Sequence, residues 1–359
     1  MIALPALQTA IVGTADGNLA ISHEAAIPAI TGDTLLVQTK AVSINPVDTK
    51  MVGPYITTGA IAGCDFAGEV AAVGPDAGSK GIKVGDTVYG AVMGMNPREP
   101  SIGAFATYVG VSATNVLRMP PTMSYAQAAA IGTSFMTSGL ALFYSLGLPG
   151  DPAQPNQRTP PIPVLVSGGS TASGTAAIQL LRLAGFAPLA TSSPGHFELV
   201  KSYGATAVFD YTSPSCASKI RTYTKNNLRY ALDCVTTVES MKLCYNAIGR
   251  AGGYYTGLDP FPETVAATRK IVRPDWVLGP TMIGKEIAWP EPHYRAADPK
   301  IRKFGQRWRQ IVEDLFLRGE MKVHPIDVQH HGFQGILDGM DEIREGLVRG
   351  KKLVCPIPE

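Results

Sequence analysis

The sequence predicts an α/β protein in two domains, a β-rich unit interrupted by a doubly wound parallel-sheet unit. Three observations carry that expectation. The chain has 359 residues, more than one hydrophobic core usually serves. Short β-rich runs fill residues 8–118, and strands alternate with helices from 163 to 257.

In order along the chain, TAIVG, TLLVQTKAVSI, FAGEVAAVG, DTVYGAV and AFATYVGV are strand-like runs separated by Gly, Pro and Asp. From 124, SYAQAAAIGTSFMTSGLALFYSL places apolar residues three and four apart, which predicts a helix. PGDPAQPNQRTPPIP (149–163) is dense in proline and polar residues and reads as a solvated, extended loop. VLVSG, APLATS, AVFDY, RYALDCV and GGYYTGL then alternate with helical stretches, the pattern of a parallel sheet covered on both faces. FGQRWRQIVEDLFLRG (304–319) has helical spacing, and VHPIDVQ, ILDGMDEIREGL and KKLVCPI add a strand, a helix and a last strand. That last strand resembles those of the first unit, so the tail is expected to rejoin it. The expected boundaries are 1–134 and 301–359 for the β-rich unit and 135–300 for the insertion.

Composition narrows the function classes. A net charge of +2 argues against nucleic acid as the main partner. ALFYSLGL and the other apolar stretches are too short to span a bilayer. MIALPALQTAIVG lacks a basic segment ahead of a long apolar one, so a cytoplasmic location is expected. Five scattered cysteines, Cys64, Cys216, Cys234, Cys244 and Cys355, fit reduced thiols better than a disulfide framework or zinc knuckle.

The strongest local signal is VLVSGGSTASGTAAIQL (164–180), a strand, a small-residue loop and a helix. Such a loop brings backbone N–H groups and a helix amino terminus to a pyrophosphate. Gly168 and Gly169 supply the turn, Gly174 the helix packing, and Ser170 and Thr171 add hydroxyl donors where a second tight glycine is usual. After the next strand, TSSPGH (191–196) has no carboxylate to bind an adenosine ribose, which favours the extra phosphate of NADPH, with Ser193 and His196 as donors. The same residues also suit a plain helix start, Ser193 capping and Pro194 in the first position.

Taken with AVSINPVDTK (41–50), GCDFAGEVAAVG (63–74), VGDTVYG (84–90) and GAFATYV (103–109), the loop resembles the zinc-independent medium-chain dehydrogenase/reductase superfamily. The cysteine–histidine pair and four-cysteine lobe of its zinc members are missing, and Cys64 alone makes no metal site. GGST (168–171), IRTYTKNNLRYALDC (220–234), AIGRAGG (247–253) and DWVLGPT (275–281) are similar to the fungal trans-acting enoyl reductases of polyketide synthases, of the lovastatin-pathway type. The resemblance implies a GroES-like catalytic domain with an inserted Rossmann domain. It also implies NADPH-dependent reduction of an enoyl chain on the acyl carrier protein domain of a polyketide or hybrid polyketide–peptide synthase lacking a working enoyl reductase domain.

Carried over by position, cofactor contacts fall on Val47, Asp48, Thr49 and Lys50, on Ser170, Thr171, Ala172 and Ser173, and on Ser193, Pro194, Gly195 and His196. Tyr211, by the adenine, Leu258, Asp259, Leu347 and Val348 complete the set, with Asn45 as a further support. Substrate-facing positions fall on Thr137, Ser138, Gly139, Leu140, Ala141, Leu142, Phe143 and Tyr144, and on Gly279, Pro280, Thr281, Met282 and Ile283. Asp259 stands where the lovastatin-type sequence has asparagine, and an ionised carboxylate cannot donate as an amide does. Gly195 with His196 replaces a histidine–asparagine pair.

Enoyl reduction needs a hydride at the β-carbon, stabilisation of the enolate oxygen and a proton for the α-carbon. Lys50 and Thr137 are the expected catalytic residues, the ammonium fixing a carbonyl and the hydroxyl donating a hydrogen bond. The bland readings are a surface lysine, a threonine bonded to its preceding helical turn and, for Asn45 and Asp48, a local turn about Pro46. Leu140, Leu142, Phe143 and Tyr144 could be core as readily as pocket lining. Tyr55 is chemically able to donate a proton, but GPYITTG reads as a flexible loop. Two other functions stay open: a soluble quinone reductase and a non-catalytic NADPH-binding subunit. The sheet edge is expected at IGKEIAWPEPHYR (283–295), whose charges and prolines discourage strand addition and point to a monomer.

Overall fold

The computed structural model describes residues 4–358, which form two compact units: Ser134–Gly279, and the segments on either side of it. The first unit is built on a seven-stranded sheet of order β14-β15-β3-β4-β5-β7 with β6 paired to β3. Its strands are β3 (Thr34–Ser43), β4 (Asp65–Val73), β5 (Thr87–Ala91), β6 (Tyr108–Ser112), β7 (Val116–Arg118), β14 (Ile326–Val328) and β15 (Lys352–Pro356). β3 is the hinge of the design, since its first half pairs with β6, its last three residues with β15, and nearly its whole length with β4. A separate antiparallel ribbon joins β1 (Leu7–Gly13) to β2 (Leu19–Ala26). Short helices α1 (Pro46–Thr49) and α2 (Tyr125–Ala129), and long ones α9 (Pro299–Leu317) and α10 (Gly332–Arg344), complete the unit.

The second unit is a six-stranded, all-parallel sheet of order β10-β9-β8-β11-β12-β13. Its strands are β8 (Pro163–Ser167), β9 (Ala187–Ser192), β10 (Ala207–Asp210), β11 (Tyr230–Asp233), β12 (Gly253–Gly257) and β13 (Val272–Trp276). Helices α4 (Ala172–Leu183), α5 (Phe197–Ser202), α6 (Cys216–Tyr223), α7 (Val238–Ala247) and α8 (Glu263–Ala266) connect them, and α3 (Gly132–Gly139) carries the chain in. Leu165, Leu189, Ile220, Leu228, Met241 and Tyr255 form one buried core between strands and helices. Strand order reverses between β8 and β11, so the crevice beyond their carboxyl ends is where a parallel sheet offers a ligand site.

Three expectations are corrected. Residues 280–300 cluster with the first unit rather than with the insertion. The buried Trp289 anchors them there, donating from Nε1 to the Met95 carbonyl at 2.9 Å. The edge of the parallel sheet is therefore β13, with Pro274 inside it, and not 283–295. The single helix expected from 124 is broken into α2, α3 and a wider π turn over Leu140–Ser145.

Candidate active site

The dinucleotide loop is shaped from its own side chains. Gly168 takes a φ of +77° that disfavours any residue with a Cβ, and a Cβ at Gly174 would lie 2.2 Å from the Gly168 carbonyl oxygen. Thr171 caps α4: its Oγ1 accepts from the Gly174 N–H at 3.0 Å and donates to the Gly168 carbonyl at 2.8 Å. This corrects one expectation, because the Thr171 hydroxyl hydrogen is committed to the loop and not available to a phosphate. The Ser170 hydroxyl and the N–H groups of Ala172 and Ser173 in the first turn of α4 remain as donors.

Neighbouring loops are stitched to this one. Gly169 N–H donates to the Thr191 carbonyl at 2.8 Å, and Tyr211 N–H to the Ser192 carbonyl at 3.3 Å. Ser193 Oγ and His196 Nδ1 are 3.0 Å apart, so these two predicted residues act as a bonded pair. Ser192, unmarked in the sequence reading, has a buried Oγ without a hydrogen-bond partner among the described residues. A buried orphan hydroxyl is costly unless something later satisfies it, and this one lies at the end of β9, where a ribose-binding acid would stand. The only sequence signal was its place in TSS. The cradle and the orphan donor fit a dinucleotide.

Asp233 was also missed. It is fully buried at the end of β11 and accepts from Val235 and Thr236 N–H, Ser240 Oγ and the Tyr255 hydroxyl. That network holds Thr236, whose Oγ1 accepts from Leu258 N–H at 3.1 Å, and so fixes the Leu258–Asp259 turn. Tyr211 is about half exposed, as an adenine neighbour would be.

Ser138 Oγ donates to the Ser173 carbonyl at 3.0 Å, joining the 137–144 segment to the first turn of α4. Thr137 Oγ1 lies 2.4 Å from where a Cβ of Gly279 would be, so only glycine fits beside it. Leu140, Ala141 and Leu142 are core, while Phe143 is half-buried and Tyr144 exposed.

In the first unit, α1 carries Val47, Asp48 and Thr49, and the exposed Lys50 is its C-cap. Asn45 and Asp48 cap the helix reciprocally, with Asn45 N–H donating to Asp48 Oδ2 at 2.7 Å. The Asn45 amide donates to Asp65 Oδ2 at 3.0 Å and its oxygen accepts from Lys352. Both side chains are thus turned inward to hold the helix. At its other end, Arg344 Nε donates to the Thr49 carbonyl at 3.1 Å, which brings the chain leading to Leu347 and Val348 against α1. Pro280, Thr281, Met282 and Ile283 also belong to this unit, in a short 3-10 turn. Tyr55 sits in another such turn, its hydroxyl 2.8 Å from His293 Nδ1, and not in a loose loop.

Burial pushes the Asp48 carboxyl up to about 6 from an ordinary 3.8, more than the Asn45 N–H and Cys64 thiol pull it down. The folded chain therefore binds more protons than the unfolded chain between those values. Asp48's contribution is present in full below pH 4 and is lost as pH rises through about 6, a swing of about 3 kcal/mol. Asp48→Asn is expected to flatten that part of the slope in urea midpoints measured from pH 4 to 7. The Cys64 thiol beside it is raised well above its ordinary value, again by burial. Among the described residues, no three His, Cys, Asp or Glu side chains gather as metal ligands.

Comparison with known proteins bears on this arrangement directly. Residues 31–121 match the alcohol dehydrogenase GroES-like domain, and residues 172–271 the domain described as zinc-binding dehydrogenase. Trans-enoyl reductase eqxC of Fusarium heterosporum is 57% identical over 347 residues, 97% of this chain and 98% of its own. Trans-enoyl reductase phm4 of Pyrenochaetopsis is 56% identical over 352 residues, 98% and 97% of the two chains. Among solved structures, CurK enoyl reductase aligns with a TM-score of 0.77 at 18% identity, covering 98% of this chain and 99% of that one. The quinone oxidoreductase of Coxiella burnetii aligns with 0.68 at 19% over the same shares, so the fold alone does not separate the two chemistries. Enoyl reductases of this kind depend on a pyridine nucleotide. Identity above half over nearly the full length does separate them: this chain belongs to the medium-chain dehydrogenase/reductase superfamily and, within it, to the fungal trans-enoyl reductases.

Proposed function

We propose that this trans-enoyl reductase is a cytosolic, monomeric enzyme that uses NADPH to saturate the α,β double bond of an acyl chain. The chain is carried as a thioester on the acyl carrier protein domain of a polyketide or hybrid polyketide–peptide synthase lacking a working enoyl reductase domain. The observation that carries the cofactor choice is the end of β9, where Ser192, Ser193 and His196 offer hydroxyl and imidazole groups and no carboxylate. When bound, the nicotinamide supplies the hydride.

The remaining tasks belong to the chain. Ser170 and the first turn of α4 hold the pyrophosphate, Tyr211 covers the adenine, and the Leu258–Asp259 turn serves the nicotinamide side, with Leu347 and Val348 as further cofactor contacts. Lys50, at the exposed end of a helix locked by its capping box and by Arg344, places its ammonium on the thioester oxygen and offsets charge as the enolate forms. Thr137, confined beside Gly279, donates a hydrogen bond to substrate or cofactor. Phe143, Tyr144 and the 279–283 turn guide the acyl chain.

Fluorescence titration is expected to give tighter binding of NADPH than of NADH. Ser193→Asp should lower NADPH affinity at least about tenfold, the loss of one charge-assisted hydrogen bond, and leave NADH little changed. Equal affinity for both nucleotides in the wild type would contradict the cofactor assignment.

A further inference from the structure

α9 has an unusual charge layout for its position. Over residues 299–312 it carries five cations, Lys300, Arg302, Lys303, Arg307 and Arg309, and no acid. The whole chain has a net charge of only +2, so the rest of it sums to −3 and this basic character is local. Lys300, Lys303 and Arg307 recur at helical spacing and are all exposed, as is Arg302 beside them. Gly305, Trp308, Ile311, Val312, Leu315 and Phe316 face inward.

Helix physics alone does not favour this arrangement. Three of the cations crowd the first five residues, where the macrodipole is already positive and acids are the stabilising choice. Asp298, the cap, accepts from Lys300 N–H at 2.7 Å and is the one acid at that end. The helix dipole and the cations therefore add, concentrating positive potential on one surface.

That surface backs onto the substrate-facing turn. Arg309 is buried, donates from Nη2 to the Met282 carbonyl at 3.2 Å, and leaves Nη1 without a partner among the described residues. A Cβ at Gly305 would lie 2.5 Å from the same carbonyl oxygen, so the helix and the turn are in backbone contact.

We propose that the exposed face of α9, formed by Lys300, Arg302, Lys303 and Arg307, is the docking surface for the carrier domain that delivers the acyl chain, which would meet it with an acidic face. This rests on the carrier-bound substrate proposed above. Complementary charge accelerates encounter and fixes orientation, and a partner seated here meets the enzyme next to the 280–283 turn.

The test uses the full-length protein and its Lys300→Glu/Lys303→Glu/Arg307→Glu variant with one enoyl chain in two forms, on an isolated carrier domain and as a free pantetheine thioester. The variant should raise KM for the carrier-bound form about tenfold or more with kcat kept, and leave the free thioester unchanged. Wild-type KM for the carrier-bound form should also climb with salt, and that dependence should weaken in the variant. Thermal melting of the variant and of Lys300→Glu/Lys303→Glu, whose acids fall near the helix start where they are favoured, checks that the fold is kept. An unchanged carrier-bound KM overturns the docking surface while leaving the reductase reading intact. So does salt-sensitive binding of the patch to phosphatidylserine vesicles with carrier kinetics unaltered. Failure of the wild type on both forms of the substrate overturns the reductase reading and this inference together.

Discussion

Lys352→Ala is expected to destabilise the first unit by about 3–5 kcal/mol, the usual result of removing one partner from a buried ion pair. Lys352 is 5% exposed and Asp65 is fully buried, with 3.1 Å between Nζ and Oδ2. Asp65 also accepts from Ser43 Oγ, the Asn45 amide and the N–H and hydroxyl of Thr133. One carboxylate thus ties β3, the start of α1, α3 and the carboxyl-terminal strand β15 together. Without the ammonium, its charge stays buried with neutral donors only, and Asp48 next to it adds repulsion. The readout is a urea midpoint. Lys352→Met with Asp65→Asn, which removes both charges, should recover much of the loss, because a buried pair replaced as a pair is often close to neutral. Equal losses in the single and double variants would contradict the account of this pair.

Lys50→Ala is expected to lower kcat for an enoyl thioester by about 10²–10³, the range for deleting one donor to a developing oxyanion. NADPH affinity should change little, since the proposed reading has the nucleotide held chiefly by the α4 loop and the β9 end. Lys50→Arg should keep part of the rate, its charge surviving with altered geometry. The argument depends on α1 being a fixed platform. Its amino end is closed by Asn45 and Asp48 and its carboxyl end by Arg344, so truncating Lys50 removes an exposed side chain without loosening the backbone that carries it. Stopped-flow absorbance of NADPH oxidation reads the rate, and a full rate in Lys50→Ala would remove Lys50 from the reaction.

What the sequence made legible follows from how local each signal is. The alternation VLVSG to GGYYTGL set the parallel sheet, because its inner strands β8, β9 and β11 are short, mainly apolar runs buried on both faces. The strand β2 was overlooked for the opposite reason: of LAISHEAA only Ala25 is buried, so the ribbon shows no alternation to read. The amino terminus of α9 lies earlier than its apolar spacing indicated, because Asp298 and Pro299 start the helix through a cap and a favoured first-turn proline rather than through burial.

In the candidate site, the strand, glycine loop and helix were legible, yet the use of Thr171 was not. A hydroxyl in such a loop can face the ligand or its own helix, and only the 2.8 Å bond to Gly168 decides it. Asp48 was placed with the cofactor by resemblance and Asn45 by its chemistry, while the Asn45 side chain is engaged by Lys352 and Asp65 and the Asp48 carboxylate by the Asn45 N–H. Those partners are distant in sequence, and no spacing rule links residue 45 to residue 352. Ser192 and Asp233 went unmarked because burial and missing or saturated hydrogen bonds are properties of the folded chain alone.

The central claim is tested most directly by NADPH consumption with an α,β-unsaturated pantetheine thioester beside a simple quinone, the saturated thioester being identified by mass. The account predicts turnover of the thioester, with kcat/KM well above that for the quinone. Fast quinone reduction with no saturated thioester formed would contradict it.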